Sequence, residues 1–155
     1  MTLRPPTEDD YARMVEAVRT WWDDVPALAD RGAERVALVP RLFVQHFTGT
    51  SLIAEADGQL VGFLIGFLSQ SRRGQAYIHF VGVAPACRRA GLGAALYARF
   101  FHICREHACT EVHCITSVGN DRSIAFHQRQ GFEVSDPVPD YDGPTHDRVP
   151  FVKYL

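Results

Sequence analysis

The sequence predicts an α/β (α+β) fold: one domain over residues 1–155, with a single mixed sheet of about six or seven strands and helices on both faces. Three observations carry this expectation. Apolar residues recur alternately at strand spacing and at helix spacing along the chain. Asp57-Gly58 parts two apolar runs in the manner of a hairpin turn. An apolar run that ends at Val83 passes through a glycine-rich joint into a long segment with helical periodicity.

Taken in order, Thr2 to Arg4 reads as a short first strand. Thr7-Glu-Asp-Asp10 has the form of a helix N-cap with acid in the first turn. Tyr11, Met14, Val15, Val18, Trp21 and Trp22 then recur at helical spacing. Asp23-Asp24-Val25-Pro26 ends that helix, and the residues up to Val39 fit no single pattern. Pro40 to Phe47 reads as a second helix, with Pro40 in the tolerated first turn. Ser51 to Ala56 and Gln59 to about Ser69 flank the Asp57-Gly58 turn. A polar loop, Gln70 to Gln75, leads to the strand Ala76 to Val83.

Beyond the joint, Gly91 to about His107 places Leu92, Leu96, Phe100, Ile103 and Cys104 on one helical face. Glu111 to Thr116 is the next strand. Asn120 or Asp121 starts a short helix that Gly131 ends, glycine being suited to a left-handed C-cap. Phe132 to Val134 and Val149 to Tyr154 read as strands around the loop Ser135 to Arg148, which is rich in Pro, Asp and Gly.

Composition narrows the function. The formal net charge is −2, which disfavours nucleic acid as a partner. The first ten residues lack the basic and then apolar regions of a signal peptide, and no apolar run is long enough to span a bilayer. A cytoplasmic protein without membrane attachment is the expectation. The four cysteines form no CxxC pair and the seven histidines no HExxH, so no metal site is expected.

The joint itself, Arg88-Arg89-Ala90-Gly91-Leu92-Gly93, carries the chemistry. A glycine turn at a helix start gathers unpaired N–H groups at the positive end of the helix dipole, which suits an anion. Flanking arginines suit a phosphate. A P-loop would need Lys followed by Ser or Thr, and GxGxxG is only half met because Leu96 stands at its third glycine.

The pattern Arg-x-x-Gly-x-Gly after a hydrophobic strand and Val-Ala-Pro resembles the acetyl-CoA pyrophosphate loop of the GCN5-related N-acetyltransferase (GNAT) superfamily. Asn120-Asp-Arg-Ser-Ile-Ala-Phe-His-Gln-Arg-Gln-Gly-Phe132 resembles a second, later motif of the same family, with Ser123 where a small Ala is usual. The order of elements is similar to the GNAT fold over nearly the whole chain.

The resemblance implies an acyltransferase that moves an acetyl group from acetyl-CoA to a primary amine, by direct attack in a ternary complex. It implies that Val81, Gly82 and Val83 present backbone groups to the pantetheine arm. Arg88, Arg89, Ala90, Gly91, Leu92, Gly93 and Ala94 would wrap the pyrophosphate. Asn120 would touch the pantetheine, with Ser123 beside it. A homodimer is a further implication, since dimers are frequent in the family.

Two positions depart from the family pattern. His127 stands where many members carry a tyrosine that protonates the leaving thiolate, and would line the cofactor site as well; an imidazolium could take that role. No carboxylate occurs from Ala76 to Val83, where many members keep a glutamate base. By alternation Tyr77 and His79 share a face with Val81, and His79 matches a histidine of the arylalkylamine acetyltransferases. His79 is therefore the expected base or anchor of a water wire, with Tyr77 beside it.

On the acceptor side Trp22, Asp23, Glu55, Asp140 and Tyr141 supply acid and aromatic character, which suits a small cationic amine. A protein lysine or N-terminus is the alternative acceptor. Competing readings are a CoA-binding sensor without turnover and a nucleotide-dependent enzyme.

Overall fold

The computed structural model describes residues 1–26 and 28–155. The chain runs β1 (Thr2–Arg4), α1 (Tyr11–Thr20), α2 (Gly32–Ala37), α3 (Leu42–His46), β2 (Leu52–Ala56), β3 (Gln59–Leu68) and β4 (Gln75–Val83). It continues through α4 (Leu92–Glu106), β5 (Glu111–Ser117), α5 (Asp121–Arg129), β6 (Glu133–Val134) and β7 (Arg148–Tyr154). The strands form one seven-stranded sheet in the order β1-β2-β3-β4-β5-β7-β6. β4 and β5 are parallel, whereas β1–β2, β2–β3, β5–β7 and β6–β7 are antiparallel. The sheet is mixed, as the sequence predicts.

Two compact units divide the described residues, Met1–Phe67 with Phe80–Phe100, and Leu68–His79 with Phe101–Leu155. In the first, Asp57 and Gly58 both take positive φ, 50° and 76°, which is what a tight two-residue hairpin between β2 and β3 requires. Met14, Ala17 and Val18 of α1 and Val44 of α3 pack with Ile53, Phe63 and Ile65 of the hairpin. The opposite face of β3 belongs to α4. A Cβ at Gly62 would sit 3.0 Å from Leu92, and one at Gly66 would sit 2.4 Å from the Phe100 ring. Because neighbouring strand residues face opposite ways, α1 to α3 and α4 cover opposite faces of β3. Phe63 and Phe100 are both fully buried, each contributing roughly 2–3 kcal/mol of apolar burial.

α1 begins through a 3₁₀ turn. Asp10 accepts the Thr7 N–H at 2.8 Å, so one acidic side chain caps the start. The other end is closed by α2, which lies in the stretch where the sequence pattern is mixed. Arg35 of α2 is buried and donates to the carbonyls of Val18 and Arg19, at 3.1 and 3.2 Å, and of Leu28. A guanidinium at the carbonyl end of α1 satisfies orphan acceptors and the helix dipole together.

In the second unit β7 is inserted between β5 and β6. Its pairs run from Glu111↔Tyr154 to Ser117↔Arg148 on one side, and Glu133↔Val152 and Val134↔Phe151 lie on the other. Val112, Cys114, Phe132, Val149 and Phe151 are buried there, together with Ile103 and Cys104 of α4. Asn120 caps α5 by accepting the Ser123 N–H at 3.2 Å, and Gly131 follows the helix at φ 82°.

Candidate active site

The glycine joint turns through left-handed backbone into the start of α4. Arg89 and Gly91 both adopt left-handed backbone, φ 67° and 81°, and the first helical bond of α4 runs from the Ala95 N–H to the Gly91 carbonyl at 3.0 Å. The amides of Leu92, Gly93 and Ala94 therefore belong to the first turn of α4, where no intrahelical acceptor exists. Arg89, Ala90 and Gly91 are exposed. No atom would lie within 4 Å of a Cβ at Gly91, so backbone geometry, and not space, demands glycine there.

The two arginines of the joint play different parts. Arg89 is exposed and carries its charge toward solvent. Arg88 is held by the protein: Nε–H donates to the Val83 carbonyl at 3.2 Å and Nη1 to both oxygens of Asp24 at 2.8 and 2.7 Å. Nη2 donates to the Trp21 carbonyl. β4 ends here, with Val81 and Val83 half-buried, Gly82 buried, and the Ala84 N–H bonded to the Val61 carbonyl at 2.9 Å. Sequence reasoning named Arg88 but not Asp24 as its partner; the two are 64 positions apart.

Two of the acceptor residues expected in the first unit, Glu55 and Trp22, have partners within the protein. Glu55 receives Arg4 at 2.9 Å on each oxygen and Arg13 at 2.9 Å. Arg4 also forks onto Asp10 at 2.7 and 2.8 Å, and Arg13 bonds the same carboxylate. Hydrogen bonds from Arg4 and Arg13 hold the Glu55 carboxyl down at about 2. Glu55, expected from the sequence on the acceptor side, instead joins β1, β2 and α1 in a four-residue ion network with Arg4, Asp10 and Arg13. Trp22 packs edge-on against Phe80, ring centroids 5.7 Å apart, and has the Arg35 guanidinium 5.3 Å from its own centroid. Its cation–π capacity already serves an internal arginine. Asp23 is exposed.

In the second unit Tyr77 and His79 are half-buried on β4, and Tyr77 pairs in register with His113. Burial raises the Tyr77 phenol above its ordinary range, and the neighbouring Tyr141 and Asp142 add to the effect. Tyr77 thus stays a neutral phenol at every physiological pH. The loop after β6 folds on its own acids. Asp140, at φ 51°, accepts the Thr145 N–H at 2.8 Å, and its own N–H donates to Asp147 at 2.8 Å. Asp142 pairs with Arg148 at 2.7 Å, and Tyr141 is exposed.

His127 lies on the inner side of α5. Its ring stacks on Phe151 and meets Phe132 and Phe126 edge-on. Nδ1 is 2.8 Å from the Ser123 carbonyl, which can only accept, so Nδ1 carries the proton and Nε2 the lone pair of the neutral ring. Burial lowers the His127 pKa, outweighing that hydrogen bond. A buried neutral imidazole is poorly suited to the imidazolium role expected from the sequence. Asn120 uses Oδ1 on Ser123 and Nδ2 on the Thr116 hydroxyl at 3.0 Å. Among the described residues no cluster of His, Cys, Asp and Glu could hold a metal ion, and no helix is long and apolar enough to cross a membrane.

Comparison with known proteins bears on this geometry. The chain is 34% identical over 85 residues to L-2,4-diaminobutyric acid acetyltransferase of Nocardia farcinica, a match covering 55% of this chain and 44% of that relative. The chain thus spans under half of that relative's length. In structure it is similar to the ribosomal-protein-alanine N-acetyltransferase of Brucella melitensis, with TM-score 0.75 and 23% identity over 100% of both chains. It is also similar to diaminobutyrate acetyltransferase of Paenibacillus lautus, determined with L-2,4-diaminobutyric acid and coenzyme A. There the TM-score is 0.68 at 24% identity, covering 97% and 92% of the two chains. The acetyltransferase (GNAT) family matches residues 14–132, a span that holds both motifs and the strand between them, so the chain belongs to that family.

Proposed function

We propose that the protein transfers the acetyl group of acetyl-CoA to a primary amine by direct attack in a ternary complex, the amine being a small cationic molecule. The observation that supports this best is the joint before α4: left-handed Arg89 and Gly91 on an exposed loop, followed by the three amides of the first helical turn. In this reading the amides of Arg89 to Ala94 receive the pyrophosphate and Arg89 supplies charge. Val81 and Val83 offer backbone groups to the pantetheine arm, and Asn120 offers its remaining amide N–H.

Chemistry sets the other requirement. A free alkylamine is only about one part in 10³ neutral near pH 7, and removing its proton costs about 4–5 kcal/mol. His79 is proposed as the base, directly or through water. An N–H near Val81 would polarise the thioester carbonyl as charge develops on its oxygen. His127 is assigned to packing, and the departing thiolate takes its proton from water. With Glu55, Trp22 and the Asp140 carboxylate engaged within the protein, exposed Asp23 and exposed Tyr141 are the acid and aromatic groups proposed for the acceptor. The relatives that act on diaminobutyrate favour a small amine, and the ribosomal-protein relative keeps a protein N-terminus as the second candidate.

Thiol release from acetyl-CoA, measured across diamines, aminoglycosides and peptides with a free N-terminus, tests the proposal. Turnover on a small diamine supports it, and turnover on peptides alone moves the assignment to a protein acceptor. CoA binding without turnover on any amine would leave a sensor module. His79→Ala should lower kcat/KM by about 10²–10⁴-fold and remove the limb of the pH profile that reports the base. An unchanged profile ends the assignment of His79.

A further inference from the structure

Arg88 stands at the first defining position of the donor motif, yet four of its hydrogen bonds go to the protein itself. The guanidinium has five N–H groups, so little of its donor capacity remains for a phosphate. Only 12% of its side chain is exposed, against 52% for Asp24. Its acceptors come from two places in the chain. Val83 is the last residue of β4, while Trp21 caps the C-terminus of α1 and Asp24 follows it by three residues. Both the carbonyl end of α1 and the carboxylate favour a cation at this spot.

We propose that Asp24 is a positioning residue for the acyl donor: by holding the Arg88 guanidinium against α1 and β4, it fixes the backbone where the pyrophosphate loop begins. The proposal rests on the donor reading given above. Arg88 immediately precedes the left-handed Arg89, so the staple anchors the residue from which the loop turns. Of the three acceptors only Asp24 carries a charge. It is also exposed, so it can be neutralised while both carbonyl contacts stay in place. The staple makes the turn after α1 and the start of the loop one mechanical piece, and arginine in this role shapes the loop instead of binding its ligand.

Isothermal titration of CoA into wild type, Asp24→Asn, Arg88→Gln and the double variant tests this, with a thermal melt of each to verify folding. Asp24→Asn should melt as a folded protein and weaken CoA binding by up to about fivefold, the range of a charge pair open to water on one side. That loss should shrink as salt is raised. Arg88→Gln and the double variant should bind CoA equally, because without Arg88 the carboxylate has nothing to act through. Unchanged binding by Asp24→Asn overturns the proposal, as do additive losses in the double variant. Tighter binding by Asp24→Asn overturns it too, since Asp24 would then compete with the phosphates for Arg88. If wild type itself binds no CoA, the donor reading fails first.

Discussion

His127 lies flat on Phe151, with ring centroids 4.3 Å apart and planes 8° from parallel. The contact joins α5 to β7 through a side chain that is neutral because it is buried. A ring so placed contributes packing, and its titration couples to folding.

The sign of that coupling is fixed. The folded pKa of His127 lies below the unfolded value of about 6.5, so below that pH the unfolded chain binds more protons. Stability from the neutral ring is complete above about pH 6.5 and is lost as pH falls toward the folded pKa. His127→Gln should lower Tm at about pH 8, since the stacked ring is gone, yet lose less of its own Tm than wild type between about pH 7 and pH 5. Thermal melts across that range check this. Parallel curves for the two proteins would mean that His127 does not titrate against folding.

Asp10 and Glu55 predict a second, more acidic transition. Arg4 and Arg13 hold both carboxyls below their ordinary values, to about 2 for Glu55, so the stabilisation is present above about pH 4 and lost as pH falls through that folded value. Asp10→Ala strands the Arg4 fork and the Thr7 amide, and should cost about 3 kcal/mol in urea unfolding. Glu55→Gln should lower the urea midpoint while leaving KM for the amine unchanged. A large rise in that KM would return Glu55 to the acceptor site.

The donor loop separates stability from binding. Arg89 sits at φ 67°, where glycine is at ease and arginine is strained. Arg89→Gly should leave Tm unchanged or slightly higher while raising KM for acetyl-CoA. Gly91→Ala should cost about 1 kcal/mol of stability, purely from backbone strain. Paired melts and donor kinetics check both; tighter donor binding by Arg89→Gly would remove Arg89 from the pyrophosphate site.

What could be read from the residues is local. The Asp57-Gly58 turn, the α4 stripe and the Asn120 to Gly131 helix are specified by neighbours within a few positions, and the structure places them as the sequence implies. α2 was illegible because it is short and depends on Arg35 reaching carbonyls 16 and 17 positions earlier. The same distance problem hid the fates of Glu55, Trp22 and Arg88. Each is chemically suited to a ligand, and each is occupied by a partner that only the folded chain brings near. His127 was found by its place in a motif, but its aromatic surroundings are Phe126 of its own helix, Phe132 just beyond that helix and Phe151 of β7.

The insertion of β7 between β5 and β6 has a consequence for the order of assembly. β6 pairs with β7, and β5 meets β7 along its whole length, yet the ribosome makes β7 after both. During synthesis the outer strand therefore has no rung to pair with, and the Phe151 seat of His127 does not exist. This part of the sheet closes in a single late step, so a nascent chain stalled before Arg148 should expose its apolar surface to chaperones.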